Sequence, residues 1–313
     1  MHLVRYDGGD GPRVGVRRED WITPLSAVRS MAEILAMRLD ELRSTVESAS
    51  GEPVHVAGAR LLVPLDGRAE LWCAGVTYAR SRGARMEESA ERSVYDKVCS
   101  ADRPELFSKA PAWRLVTDGE PVGIRTDSGH DVPEPELALV VNAHGEIVGY
   151  AVCNDMSSRS IEGENPLYLP QAKVYAGAAA LATGIRPAWE VPDPTDLAIS
   201  LVVRRGETAA FAAETSTGQL ARPLQQLVDY LYTANFFPDG AALATGTGIV
   251  PDLDFTLQPG DLVEIDVEEV GRLVNRVEIG KEPFGWLNDR TADVWNAALV
   301  PGETPMNTLG GEA

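Results

Sequence analysis

Two glutamates two residues apart, Glu134 and Glu136, open a run of strand-forming residues from Pro135 to Val141. Side chains at that spacing on a strand share a face, so both carboxylates point the same way. Asn142-Ala143-His144-Gly145 is a turn signal and Glu146 to Cys153 is a second strand-like run, which together predict a hairpin. If Asn142 and Gly145 face each other across the turn, Asp155 falls opposite Val132, beside Glu134 and on its face. A slip of one residue would turn Asp155 to the other side. Three converging carboxylates repel one another unless a cation holds them. All-oxygen ligation suits a hard divalent ion, Mg²⁺ or Mn²⁺, with positions left for water or substrate. The bland alternative is a solvated strand face followed by an Asp that caps a turn. Spacing leaves both readings open.

The rest of the chain has to position this stretch. His2 to Tyr6 and Val14 to Arg18 flank Gly8-Gly9-Asp10-Gly11-Pro12 and predict a hairpin. Thr23-Pro24 opens an expected helix whose apolar face is Val28, Met31, Ile34, Leu35, Leu39 and Leu42. Leu61 to Pro64 makes a short connecting strand. These pieces read as a small N-terminal α/β domain over residues 1–66, without chemistry of its own. A catalytic domain is expected over 67–300 and a polar tail over 301–313. Within the larger part, Leu71 to Val76 is a strand and Tyr78 to about Asp96 a charged helical segment. Asp196–Arg204 with Thr208–Glu214 forms a hairpin, and Pro223–Phe236 an amphipathic helix with Pro in its first turn. Leu243–Thr247, Gly260–Val267 and Arg272–Ile279 complete a strand-rich body. Periodicity gives a mixed α/β chain with many hairpins.

Composition narrows the partners. At 313 residues the chain is long enough for one large core or two modest ones. A net charge of −19 disfavours nucleic acid and anionic membrane surfaces, which are themselves negative. The chain has only four lysines, at 97, 109, 173 and 281, so a lysine inside a motif stands out. Cys73, Cys99 and Cys153 lack metal spacing, and Cys73 and Cys153 sit in apolar runs as expected for small buried side chains. No disulfide framework is suggested, and the expected setting is a reducing cytoplasm. Neither a signal pattern nor a spanning apolar run is present in the sequence.

Several motifs resemble the fumarylacetoacetate hydrolase family. They are Glu134-Pro135-Glu136-Leu137 and Asn154-Asp155-Met156-Ser157-Ser158-Arg159. The run from Ile161-Glu162-Gly163-Glu164-Asn165-Pro166-Leu167-Tyr168 to Lys173, with Thr245-Gly246-Thr247-Gly248, is similar to its sugar-acid dehydratase branch. The similarity covers roughly residues 70 to 280. It implies a β-rich α+β fold (a mixed β roll or barrel with a small N-terminal domain), a homodimer, and Glu134, Glu136 and Asp155 as ligands of Mg²⁺ or Mn²⁺. It also implies Lys173 in the pocket and Glu105, in Pro104-Glu105-Leu106-Phe107, as candidate general acid/base.

The same resemblance places Ser158, Arg159, Gly246 and Thr247 around an anionic keto-acid substrate. Arg80, Arg82 and Arg85 of the charged segment read either as a solvated helix face or as the source of one arginine, with Arg85 the candidate, that would meet that anion when a lid closes. For Arg159 the alternative role is a structural ion pair, and for Lys109 a place on the pocket wall or a surface pair. In the family's carbon–carbon hydrolases a lid His and Glu activate water. Here the His position is Ser81, which cannot serve as a neutral-pH base. That departure favours a lyase acting on a 2-keto-3-deoxy sugar acid. A hydrolase or decarboxylase on an acylpyruvate-like acid is the alternative, and a non-catalytic dimeric binding protein the third reading. Ser160, Ala176 and Leu181-Ala182-Thr183-Gly184 also depart from the family pattern and leave the ligand set intact.

Overall fold

The computed structural model describes residues 1–78, 98 and 101–290. Arg85 and most of the charged segment, Cys99 and the tail 301–313 lie outside the described residues. No described helix is long and apolar enough to cross a membrane.

The fold is α+β and rich in strands. A mixed sheet of twelve strands has the ligand hairpin near its middle. Pro135–Val141 pairs antiparallel with Ile147–Asp155 on one side and with Ala241–Ala244 on the other. Glu70–Gly75 follows, parallel to Ala241–Ala244, and then Glu105–Pro111 at the edge. A second sheet of five strands runs Thr208–Ser216, Ala198–Arg205, Leu262–Val267, Gly271–Ile279, Val122–Ile124.

Every residue of Pro135–Val141 is buried, because both faces of the hairpin are covered. Leu137, Leu139 and Val141 pack into one core with Ile199, Leu201, Val203, Val263 and Ile265 of the five-stranded sheet. Ala138 and Val140 face the opposite way, into a core shared with Met31, Ile34, Leu35 and Leu42. The strand is therefore apolar at both parities, and Glu134 and Glu136 interrupt that pattern only at its N-terminal end.

The first 66 residues join this architecture rather than stand beside it. His2–Asp7 pairs with Pro12–Arg18 as expected, and also with Gly184–Pro187, which extends the large sheet. The expected helix from Thr23 is corrected. Trp21–Pro24 is a strand, and two short helices follow, Met31–Leu35 and Leu39–Glu47. Ser30 caps the first through the Glu33 N–H, and the Glu33 carboxylate returns to the Arg29 N–H. The break between the helices is made by the tip of the ligand hairpin. Ala143 N–H binds Leu35 O, the Asn142 amide binds Met37 O, and Leu39 N–H donates to Glu146. Pro223 is likewise corrected: it precedes the helix Leu224–Tyr232, in extended conformation.

The hairpin register differs from the expectation by two residues. Asn142 closes against Glu146 rather than Gly145, with Gly145 at φ +76 in the loop, and a bulge at Val140/Val141 adds a second offset. Pro135 consequently pairs with Asn154, and the Asp155 N–H donates to Glu134 O. Because two is even, Asp155 keeps the face it was expected to have.

Candidate metal centre

The hairpin brings the three acids together at one end of the large sheet. Carboxylate oxygens of Glu134, Glu136 and Asp155 lie within 4.8 Å of one another, and all three residues are buried. Burial, then the charges of Asp155 and Glu134, push the Glu136 carboxyl well above the usual carboxylate range. Lys173 and the Gly246 N–H oppose that push.

Three cations surround the acids. Lys173 Nζ donates to Glu134 Oε2 at 2.6 Å and to Asp155 Oδ2 at 2.9 Å. Lys109 Nζ lies 2.6 Å from Asp155 Oδ1 and donates to Met156 O at 2.8 Å. Arg159 donates to Glu134 Oε1 at 2.7 Å, from the start of the short helix Arg159–Glu164. Lys173 ends another short helix, Leu169–Lys173, and Lys109 reaches across from the edge strand Glu105–Pro111. The Lys109 ammonium also stacks over the Tyr175 ring at 5.9 Å.

A narrow cleft opens onto these groups. Beside the ligands it is lined by Val76, Glu105, Phe107, Arg159, Glu162 and Lys173. A Cβ at Gly75 would fall 2.1 Å from Glu105 Oε2, so a larger residue there would displace that carboxylate. Gly246 is required twice over: its φ is +90, and a Cβ would meet Thr77 Oγ1 at 2.0 Å. Its N–H donates to Glu136 Oε2 at 2.7 Å, while Thr77 Oγ1 donates to Thr245 O at 2.6 Å. The 245–248 loop thus orients the Glu136 carboxylate. The Thr247 hydroxyl lines the cleft and is engaged by Ile249, whose N–H it accepts at 3.1 Å.

Not every expected site residue meets here. Ser158 donates to Ser128 Oγ at 2.8 Å, caps the following helix, and is not part of the cleft lining. Lys109 is fully buried against Asp155, which resolves its two expected roles toward the interior. Glu162, assigned no role from sequence, sits in the cleft wall. The sequence held no local signal for it, since an acid on a short helix does not show which wall it faces.

The donor set fits a hard divalent cation. Glu134, Glu136 and Asp155 offer carboxylate oxygens within 4.8 Å of one another, and an all-oxygen donor set selects Mg²⁺-like ions over softer metals.

The buried carboxylate group on the central hairpin consists of the three acids that the sequence motifs singled out. Residues 70–278 match the fumarylacetoacetate (FAA) hydrolase C-terminal family, and the chain belongs to that family. It is 43% identical over 252 residues to the probable 2-keto-3-deoxyxylonate dehydratase of Haloferax volcanii, covering 80% of this chain and 84% of that one. It is 39% identical over 266 residues to the 2-dehydro-3-deoxy-D-arabinonate dehydratase of Saccharolobus solfataricus, covering 83% and 87%. Among solved structures, 2-keto-3-deoxy-D-arabinonate dehydratase complexed with magnesium and 2,5-dioxopentanoate superposes with TM-score 0.78 at 32% identity. That match covers 90% of this chain and 99% of the other.

Proposed function

We propose that this chain is a Mg²⁺-dependent dehydratase of a 2-keto-3-deoxy sugar acid, yielding the 2,5-dioxo acid and water. The observation that carries the reading is the buried triad of Glu134, Glu136 and Asp155 with its three balancing cations. The dehydratase relatives, matched over more than four fifths of their length, support the substrate class.

Glu134, Glu136 and Asp155 would hold the ion. A divalent ion there supplies Lewis acidity, drawing electrons from a chelated 2-keto carboxylate and acidifying the protons on C3. Lys173 and Arg159, fixed on Glu134 and Asp155, keep the ligand oxygens aimed into the cleft and present positive charge to the substrate carboxylate. Thr247, which also lines the cleft, is the candidate to orient that carboxylate.

Glu105 is the candidate to take the C3 proton. The C4 hydroxyl leaves with its bonding pair and one proton as water, and the C3 electron pair becomes the C3–C4 double bond. Loss of a C5 proton and return of a proton to C3 give the C4–C5 enol, whose hydroxyl then loses its proton as C4 gains one, leaving the terminal aldehyde. Across the sequence one water is lost and no electrons are exchanged.

The same reading makes the protein cytoplasmic and homodimeric, with residues 1–66 as an accessory layer. Arg85 is the candidate lid contact to the substrate anion. Carbon–carbon hydrolysis is the runner-up, disfavoured because Ser81 stands where the hydrolases place a histidine. The test is incubation of purified protein with 2-keto-3-deoxy-pentonates and with acylpyruvates, with Mg²⁺ and with chelator. Mg²⁺-dependent appearance of 2,5-dioxopentanoate supports the proposal, and scission of acylpyruvates without dehydration overturns it.

A further inference from the structure

Apart from the metal cleft, and sharing no lining residue with it, lies a cavity of about 190 Å³. One water needs roughly 10–15 Å³, so this space has room for a small organic molecule. Arg5, Arg60 and Leu65 bring the N-terminal layer to it, and Trp113 and Arg290 bring the larger part of the chain.

The charge lining the cavity is unbalanced. Three arginines, Arg5, Arg60 and Arg290, stand against two acids, Asp7 and Asp66. Both acids are already engaged. Asp66 pairs with Arg5 Nε at 2.8 Å and accepts from the N–H groups of Met31 and Ala32. Asp7 Oδ1 accepts from the N–H groups of Gly9 and Gly11. Arg290 is held by Glu120 and by Leu115 O. Arg60 lies opposite Asp7 across the strand pair, yet among the described residues it forms no ion pair or hydrogen bond. Burial above all holds the Arg290 guanidinium below its ordinary pKa; Glu120 opposes this, and the charges of Arg60 and Arg5 add to it.

We propose that this cavity is a ligand site separate from the metal centre, taking a small organic monocarboxylate with an apolar body. Three arginines less two acids leave one positive charge, which one carboxylate answers. Guanidinium groups suit a planar carboxylate, and Arg60 and Arg290 are the pair to meet it. Leu62, Leu65 and Trp113 give the same cavity an apolar surface that an inorganic oxyanion cannot use.

The probe is 4-bromobenzoate, titrated calorimetrically into the whole chain in chelator, so that no metal ion draws the carboxylate to the acid triad. One molecule per chain is expected to bind. The neutral isostere 4-bromobenzamide should bind about tenfold more weakly or worse, and Arg60→Gln should weaken the acid about 5- to 30-fold. Arg60 is exposed and its replacement breaks no contact among the described residues, so the variant keeps the fold. In a crystal soaked with the probe, bromine anomalous scattering should fall in this cavity, with the carboxylate on Arg60 and Arg290. Absent binding, equal affinity for the amide, a loss below about threefold in Arg60→Gln, or bromine only in the metal cleft overturns the proposal. Sulfate that displaces the probe at equal concentration also overturns it, since the arginines would then serve an inorganic oxyanion.

Discussion

Replacing Glu136 by Gln should raise the stability of the ion-free protein and abolish its response to Mg²⁺. Glu136 is buried beside Asp155 and Glu134, and its carboxyl is pushed well above the ordinary range, by burial first. A carboxyl raised in the folded state contributes stability that is complete below its ordinary pKa and is lost as pH rises through the folded value. Each tenfold change in proton affinity between the two states corresponds to about 1.4 kcal/mol. Glu136→Gln removes that penalty, and the new side-chain carbonyl can still accept from the Gly246 N–H, which now donates to Oε2 at 2.7 Å. The new amide also places donors where a third negative charge stood. With Mg²⁺ at 100 times Kd, wild type gains about 2.7 kcal/mol by mass action. At roughly 2 °C per kcal/mol for a chain of this size, that is a rise of about 5 °C. The assay is thermal unfolding at pH 8 in chelator and in excess Mg²⁺. In chelator the variant should melt above wild type, and in Mg²⁺ wild type should overtake it. A variant that melts below wild type in chelator, or that gains as much from Mg²⁺, refutes the reasoning.

Other positions give independent checks. Gly246→Ala combines a positive φ, about 1–2 kcal/mol, with a clash on Thr77 and displacement of the Glu136 hydrogen bond. A loss of about 3–5 kcal/mol in denaturant stability and a weakened Mg²⁺ affinity are expected, and unchanged affinity would contradict the assigned role of this amide. Lys109→Met leaves Asp155 Oδ1 and the Met156 carbonyl without their cation. Urea unfolding should show a loss of about 3–5 kcal/mol, and a change below about 1 kcal/mol would mean the pair is dispensable. Asp131 is buried with Oδ1 lacking a hydrogen-bond partner, and burial pushes its carboxyl up to about 6. The stability tied to its proton is present near pH 4 and lost as pH rises through 6, so Asp131→Asn should melt above wild type at pH 8 and level with it near pH 4. The opposite ordering would count against the shift.

The convergence of the three carboxylates was legible because a strand converts spacing into direction, while their reading as metal ligands came from the resemblance to the family's motifs. Glu134 and Glu136 needed only period two, and Asp155 needed only the correct parity across a hairpin. The turn and the bulge together moved the register by two, which left that parity intact. Lys173 was legible from its motif.

Lys109 was seen but not placed, since its partners come from segments 46 and 64 residues away and nothing local announces them. Glu162 was passed over within a quoted motif because a helical acid gives no sign of the wall it faces. The helix break after Leu35 is likewise a long-range effect. Its cause is the hairpin tip at 142–146, which binds Leu35 O, Met37 O and the Leu39 N–H. Sheet order followed the same rule: the hairpins were visible, and the pairing of His2–Asp7 with Gly184–Pro187 was not.

The most direct test is a crystal structure of the protein soaked with Mn²⁺, located by its anomalous scattering, and then with Mg²⁺. One ion per chain is expected, bonded to Glu134, Glu136 and Asp155, with Mg–O distances of about 2.0–2.1 Å. An ion bound elsewhere, or three carboxylates held only by Lys173, Lys109 and Arg159 at saturating metal, would contradict the account.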